Sequence, residues 1–456
     1  MASKRRMPRP GTIKVFKPPT YNQMIDFEEL ALKDKDFSEL LDASDGIFSF
    51  RKPEHVLQLA KSLLKRDFGL TMKLPNDRLC PAIPIRWSYV RWVQGLIDST
   101  SVTYRDGHDP FRPVLGIDVG VGSSCIYPLL ACSARSSWKF IGTDIDDTNY
   151  NHAVYNVTSN SLDRRIKLVK THPNEPFWSR GSLDFEKADF TMCNPPFFGS
   201  IEELKSTFDH KAPPAVCTGA DVEMVTRGGE VAYVSSMVEE SKVLGLRIQW
   251  YTSQLGKAAS LPIIVRKLKT LGCVNWAVGV LNPNERTRRW VIGWSWADLK
   301  PSDDIARNDE ISVRQMPATE DTIAMSEHTK EDLANSINSI LNSLPLAWSN
   351  DPGNFTGIAI MKGDVWSRAA RRKMKRQGVG TTEPSVNSTE MTLASPIQNT
   401  NASVSEMVVR VSIAKDSVKL RWLKGIDNVL WESFRGMMRR KLQRDSQAGK
   451  PGQSIG

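Results

Sequence analysis

The chain has 456 residues, 40% hydrophobic and 8% aromatic, which is too long for one ordinary domain and ample for a sizeable core. Lys and Arg number 61 against 51 Asp and Glu, a formal charge of +10, and such a balance suits a polyanionic partner because contact with phosphates releases counterions. Six scattered cysteines (Cys80, Cys125, Cys132, Cys193, Cys217, Cys273) without a CxxC pair or zinc-spaced histidines argue for reduced thiols and no metal, and the absence of a long apolar run or secretory signal argues against a membrane span.

Residues 1–20 are basic and proline-rich (Lys4, Arg5, Arg6, Arg9, Lys14, Lys17) and read as a flexible arm, with a helical start completing 1–47. Apolar residues at three- and four-residue spacing predict helices over 53–69 and 85–98. From 111 onward short apolar runs alternate with helical segments. Strands are expected at 113–119, 138–144, 166–170, 188–194, 246–252, 273–281 and 289–296, with helices near 146–158, 229–244 and 259–271. This alternation predicts a doubly wound α/β sheet with mostly parallel strands. The last two strands are separated by only 282–288, so they should form an antiparallel hairpin. Seven strands ending in such a hairpin make the Rossmann-like fold of a class I S-adenosylmethionine-dependent methyltransferase, over 48–299, and differ from the dinucleotide-oxidoreductase arrangement.

Beyond Leu299 the composition turns polar. A helix at 330–343, a strand pair near 345–362, a basic segment at 365–377, a hairpin from 406 and a basic helix near 426–444 read as a small α+β module over 305–377 and 405–446. Loose helical tails are the alternative. The intervening 378–404 is rich in Ser, Thr, Pro and Asn and is expected to be disordered.

The strand VLGIDV runs into GVGSS, placing Asp118, Gly120, Gly122 and Ser124 at a strand-to-helix turn where glycine lets a backbone approach a ligand. The next strand ends in GTDID, and Asp144 there can accept both ribose hydroxyls of an adenosyl group. A helix N-cap is its other reading, which Asp146 or Asp147 could equally supply.

The fourth strand ends in Asn194-Pro195-Pro196-Phe197. An aryl amine is a poor nucleophile because its lone pair is delocalised into the ring. The Asn194 amide oxygen and the Pro195 carbonyl can accept both its N–H groups, favouring a pyramidal nitrogen with its lone pair on an electrophilic methyl. Paired prolines keep those acceptors aimed, and Phe197 offers a face on which an extruded base can stack. No general base is needed at the outset, and His172 and His210 read as loop residues.

Together GIDVGVGSSCIYPL, GTDIDD and CNPPFF resemble the methyltransferase-like sixteen family, whose members methylate adenine N6 in U6 small nuclear RNA; a bacterial relative modifies large-subunit ribosomal RNA. The likeness covers about 50–297, including IRWSYVRW and RIQWYTSQLGK. It implies S-adenosylmethionine as cofactor, with Arg86 on its carboxylate, Gly120 and Ser124 at its methionine end, Asp144 on its ribose, and Asn194 shared with the target amine. Glu175 falls in the loop after the third strand. In animal members that loop carries a restraining lysine, which Asn174 replaces here. Phosphate contacts are expected from Lys4, Arg5, Arg6, Arg286, Arg289, Arg371, Arg372, Lys373, Arg439 and Arg440. The expected protein is a monomeric nuclear enzyme on structured RNA, without membrane or metal. A protein glutamine N5-methyltransferase, which usually has Tyr in place of Phe197, and a catalytically silent RNA-binding protein are the alternatives.

Overall fold

The computed structural model describes residues 19–21, 24–178, 183–209, 219–281, 288–308, 316–325, 328–376 and 406–448, without the side chains of 207–209, 373–375 and 445–448. Lys4, Arg5, Arg6, Arg286, His210, the Lys373 side chain and the 378–404 segment lie outside that description. The chain divides into two compact units. One comprises Met1–Arg91, Asp109–Ile264 and Val280–Val291, and the other Trp92–His108, Val265–Gly279 and Ile292–Gly456.

Helices α1 (Phe27–Lys33) and α2 (Lys35–Asp42) start at side-chain caps from Asp26 and Asp34. Helix α3 (Pro53–Phe68) has proline in its first turn and stops at Gly69, whose φ of 66° ends the helix without steric penalty. Helix α4 (Ile83–Ser99) follows.

The main sheet contains β1 (Val114–Val119), β2 (Trp138–Asp144), β3 (Ile166–Lys170), β4 (Ala188–Cys193), β5 (Ile248–Leu255), β6 (Asn275–Leu281) and β7 (Arg289–Ser295), in the order β3-β2-β1-β4-β5-β7-β6. The pairs β1–β2, β2–β3, β1–β4 and β4–β5 are parallel. The connecting helices include α5 (Ile126–Ala134), α6 (Asp147–Ser159), α7 (Ile201–Asp209), α8 (Asp221–Met224), α9 (Gly229–Leu244) and α10 (Ser260–Thr270). Strands β6 and β7 are sheet neighbours joined by a connection too short for a parallel crossover, as an antiparallel hairpin requires. At Gly116 in β1 a Cβ would lie 2.6 Å from Phe190 and 2.7 Å from Phe140, so glycine there lets two aromatic rings close over the strand.

Strand order reverses between β1 and β4. The helices following these two strands therefore leave on opposite sides, opening a crevice beyond the strands' carboxyl ends. Both sequence motifs end at that crevice.

The second unit holds α11 (Asp303–Ala306), β8 (Glu320–Ala324), α12 (Lys330–Asn342), β9 (Ala347–Asp351), β10 (Thr356–Lys362), α13 (Arg368–Arg376), β11 (Glu406–Ile413), β12 (Ser417–Lys424) and α14 (Asn428–Ala448). Its five strands form an antiparallel sheet, β8-β12-β11-β10-β9. Period-two alternation puts Val409, Val411, Val418, Leu420 and Trp422 on one face, in a core with Leu333 and Ile337 of α12 and Trp431, Phe434 and Met438 of α14. Trp422 and Trp431 stack with centroids 5.9 Å apart.

The fifth and eighth strands depart from the sequence reading for identifiable reasons. The strand expected from residue 246 begins at Ile248 because Gly245 (φ 53°) and the 3-10 turn Gly245–Arg247 take the preceding residues; it then runs on to Leu255. Strand β8 was not anticipated: its five residues are mostly polar and half-exposed, so no run of apolar residues marks it.

Candidate active site

After β1 the chain turns through Gly120 (φ 71°) and Gly122 (φ 64°), both in the left-handed region. A Cβ at Gly120 would meet nothing within 4 Å. The backbone conformation, rather than crowding, calls for glycine there, and the missing side chain leaves open space.

At the tip of β2, the Asp144 carboxylate accepts the Gly122 N–H at 2.8 Å and the Asp146 N–H at 2.9 Å. The glycine turn and the acid are thereby tied together. Helix α6 is capped by Asp146, which accepts from the Asn149 N–H, so Asp144 is not spent as an N-cap. Burial raises its pKa.

Asp118 is fully buried, and neither carboxylate oxygen has a hydrogen-bond partner. Burial, reinforced by the nearby Asp144 charge, pushes its carboxyl up to about 8. An unpartnered buried carboxyl is costly to ionise unless a donor or cation completes it.

A cavity of about 660 Å³ opens above these groups, lined by Arg86, Gly120, Gly122, Ser124, Asp144, Glu175, Asn194 and Pro196, among others. Asp118, Pro195 and Phe197 are not in its lining but adjoin lining residues in the chain: Asp118 and Pro195 are buried, and Phe197 is half-buried. Around the cavity, Asn194 follows β4, the glycine turn β1, Asp144 ends β2, and Glu175 lies beyond β3. This is the spatial order of the strands, so one elongated ligand can meet each in turn. The donor set fits S-adenosylmethionine: Arg86 and Asp118 suit the two ends of an amino-acid zwitterion, and Asp144 suits a ribose diol. Among the described residues no group of three or more His, Cys, Asp or Glu is placed to hold a metal, and no helix is long and apolar enough to cross a membrane.

Arg86 is 8% exposed. Its Nη1 donates to Tyr127 Oη and Asn194 Oδ1, both at 2.9 Å, and to Gln254 Oε1 at 3.1 Å. Because guanidinium only donates, these contacts fix the Asn194 oxygen toward Arg86. The oxygen keeps a second lone pair.

The loop Asn194–Phe198 is clamped from behind. Phe198 N–H donates to the Met224 carbonyl at 3.1 Å, and Thr226 N–H donates to the Phe198 carbonyl at 2.9 Å. Gly256 abuts Phe197, where a Cβ would lie 2.9 Å from the ring. Beside it, buried Glu230 accepts from the Gly256 and Lys257 N–H groups and the Ser260 hydroxyl. The Arg289 guanidinium lies over the Phe197 ring, 5.7 Å from its centroid.

Several cavity residues had no signal of their own. Tyr127 and Glu223, far apart in sequence, line the cavity, and Gln254 is linked to it through Arg86. Glu223 accepts the Leu79 and Ala220 N–H groups. Glu240 of α9 accepts the Phe177 N–H at 2.8 Å, fastening the loop after β3, and Phe177 packs on Tyr233 of the same helix. His172, read as a loop residue, lines the cavity.

Of the expected phosphate contacts, Arg289 lies in the first unit beside Phe197. Arg371 and Arg372 are exposed on α13 of the second unit, and Arg440 is exposed on α14. Arg439 is already engaged, pairing with Asp321 at 2.6 Å.

Comparison with known proteins adds independent findings. A family model described as RNA methyltransferase matches residues 18–298. The U6 small nuclear RNA (adenine-(43)-N(6))-methyltransferase of Schizosaccharomyces pombe is 31% identical over 405 residues, covering 88% of this chain and 96% of that protein. The human RNA N(6)-adenosine-methyltransferase METTL16 is 37% identical, covering 60% of this chain and 49% of that protein. This chain thus spans about half the length of its animal relatives. Among solved structures, the hMettl16 catalytic domain in complex with MAT2A 3'UTR hairpin 1 aligns with a TM-score of 0.53 and 35% identity, covering 60% of this chain and 92% of that one.

Proposed function

From the premise that this chain belongs to the RNA methyltransferase family, we propose that it methylates adenine N6 in U6 small nuclear RNA, acting in the nucleus as a monomer. S-adenosylmethionine, when bound, supplies a methyl group already activated on a sulfonium. The chain's own residues bind and aim. Arg86 and Asp118 hold opposite charges of the amino-acid end, Gly120 and Ser124 admit it, and Asp144 takes the ribose.

Asn194 Oδ1 and the Pro195 carbonyl accept the two N–H bonds of the target amine, and Phe197 stacks the base that has left its helix. The proton departs to solvent after transfer. Exposed Arg371, Arg372 and Arg440, with the basic arm, bind phosphates without reading sequence. One observation carries the reading: Asn194 and the glycine turn line the same cavity, at the tips of neighbouring strands β4 and β1, the second of which carries an unpartnered buried acid.

The test is to incubate the chain with methyl-labelled cofactor and either total RNA or total protein, then locate the label. Label as N6-methyladenosine in U6 is the expected result. Label in protein alone would establish glutamine methylation instead, and tight RNA binding with no transfer would establish a silent RNA-binding protein.

A further inference from the structure

Arg86 does not stand alone at the cavity. Its single nitrogen Nη1 faces three acceptors, Tyr127 Oη, Asn194 Oδ1 and Gln254 Oε1, within 3.1 Å. A terminal guanidinium nitrogen carries only two hydrogens, so three acceptors compete for two donors. Two of the three are fixed. Gln254 is 1% exposed near the end of β5, and Tyr127 is 4% exposed on α5, its hydroxyl donating to Gln254 at 3.3 Å. The Tyr127 ring lies edge-on to Tyr89 at 5.2 Å and beneath the Arg86 guanidinium at 5.6 Å. Tyr89 is in turn bonded to Thr252 at 2.7 Å. Asn194 is only half-buried and its oxygen is the acceptor assigned above to the target amine, so its bond to Arg86 is the one with a competing duty.

We infer that Gln254 and Tyr127 are positioning residues that cradle Arg86, presenting its guanidinium to the carboxylate end of the cofactor without Asn194 as its anchor. The inference rests on the cofactor reading above and adds what that reading lacks. A guanidinium on a long flexible side chain binds a carboxylate well only when its orientation is held beforehand. Among the described residues, Arg86's other N–H groups have no protein partner and remain for a ligand. Removing the cradle leaves Arg86 to Asn194 alone, so the cofactor's carboxylate and the target amine then contend for groups locked to each other.

The discriminating experiment uses two probes with the full chain. S-adenosylhomocysteine carries the carboxylate; 5′-methylthioadenosine shares the adenosine and sulfur but lacks the amino-acid end. Calorimetric titration of Gln254→Leu and Tyr127→Phe should show S-adenosylhomocysteine bound about tenfold more weakly, as for loss of a charge-assisted hydrogen bond. Methylthioadenosine should bind as to the parent. A role confined to folding would weaken both probes together, and that result, or no change for either, overturns the inference. Should Gln254→Leu lose both through misfolding, Tyr127→Phe, which deletes one oxygen at constant ring shape, decides. A parent chain that binds methylthioadenosine and S-adenosylhomocysteine equally well would overturn the cradle while leaving the adenosyl site standing. A parent that binds neither overturns the cofactor reading itself.

Discussion

Titrating Asp118 tests its proposed pairing with the ammonium group of the cofactor. Its carboxyl, raised to about 8 by burial and by the Asp144 charge, is roughly nine-tenths protonated at pH 7 in the ligand-free protein. The cofactor's ammonium group favours the ionised form, so binding at pH 7 should release about 0.9 proton, and apparent affinity should rise about ninefold between pH 6 and pH 7. Higher pH is avoided because the ligand's own amine then begins to titrate. The assay is calorimetry with S-adenosylhomocysteine in buffers of different ionisation enthalpy, repeated on Asp118→Asn. That variant should bind more weakly and lose the proton release.

The same shift has a stability consequence of defined sign. A folded-state value above the ordinary carboxyl value means that stability is fully present below the unfolded pKa and lost as pH rises through about 8. Asp118→Asn should therefore melt higher than the parent at pH 9, by at most about 6 kcal/mol of unfolding free energy, and match it at pH 4. A parent whose cofactor affinity is flat across pH 6 to 7, with no buffer-dependent heat, refutes the proposed pairing of Asp118 with the ammonium.

Gly256→Ala places a methyl 2.9 Å from the Phe197 ring and 3.1 Å from Glu230 Oε2, so the ring must move. RNA turnover should fall about tenfold or more, as for a displaced positioning group, with S-adenosylhomocysteine affinity unchanged by calorimetry; unaltered turnover would remove Phe197 from the account. Replacing Arg371 and Arg372 on α13 with alanine should weaken U6 binding uniformly across sequences and reduce the slope of log affinity against log salt by about 1 for each phosphate that is no longer neutralised. An unchanged slope in a salt titration would mean that α13 does not touch the RNA.

The parts of this molecule legible in sequence were those with local causes. Strands β1, β2 and β4 are short apolar runs punctuated by glycine, aspartate or proline, and each ends on the motif that carries its chemistry. The alternating valines of β11 and the leucine and tryptophan of β12 equally mark a one-sided sheet. What escaped depends on the topology. Tyr127 on α5 and Gln254 on β5 are 127 residues apart and meet only because β5 is added beside β4. Gln254 was further obscured because the strand was expected to stop at 252, while Gly245 shifts it toward its carboxyl end. Glu240 looks like any surface helix residue until its carboxylate is found on the Phe177 N–H. The question of whether Asp144 was a cap or a free acid was likewise open in sequence, and it closed only when Asp146 took the cap.

The most direct measurement is single-turnover methylation of a U6 RNA by Asn194→Ala, with RNA affinity measured in parallel. If Asn194 aims the adenine amine, the rate should drop roughly 100-fold or more, the size seen when one preorganised hydrogen-bonding group is deleted, while the RNA dissociation constant stays within about threefold because phosphate contacts dominate binding. A variant that methylates at the parent rate, or one whose rate and affinity fall together, contradicts the account.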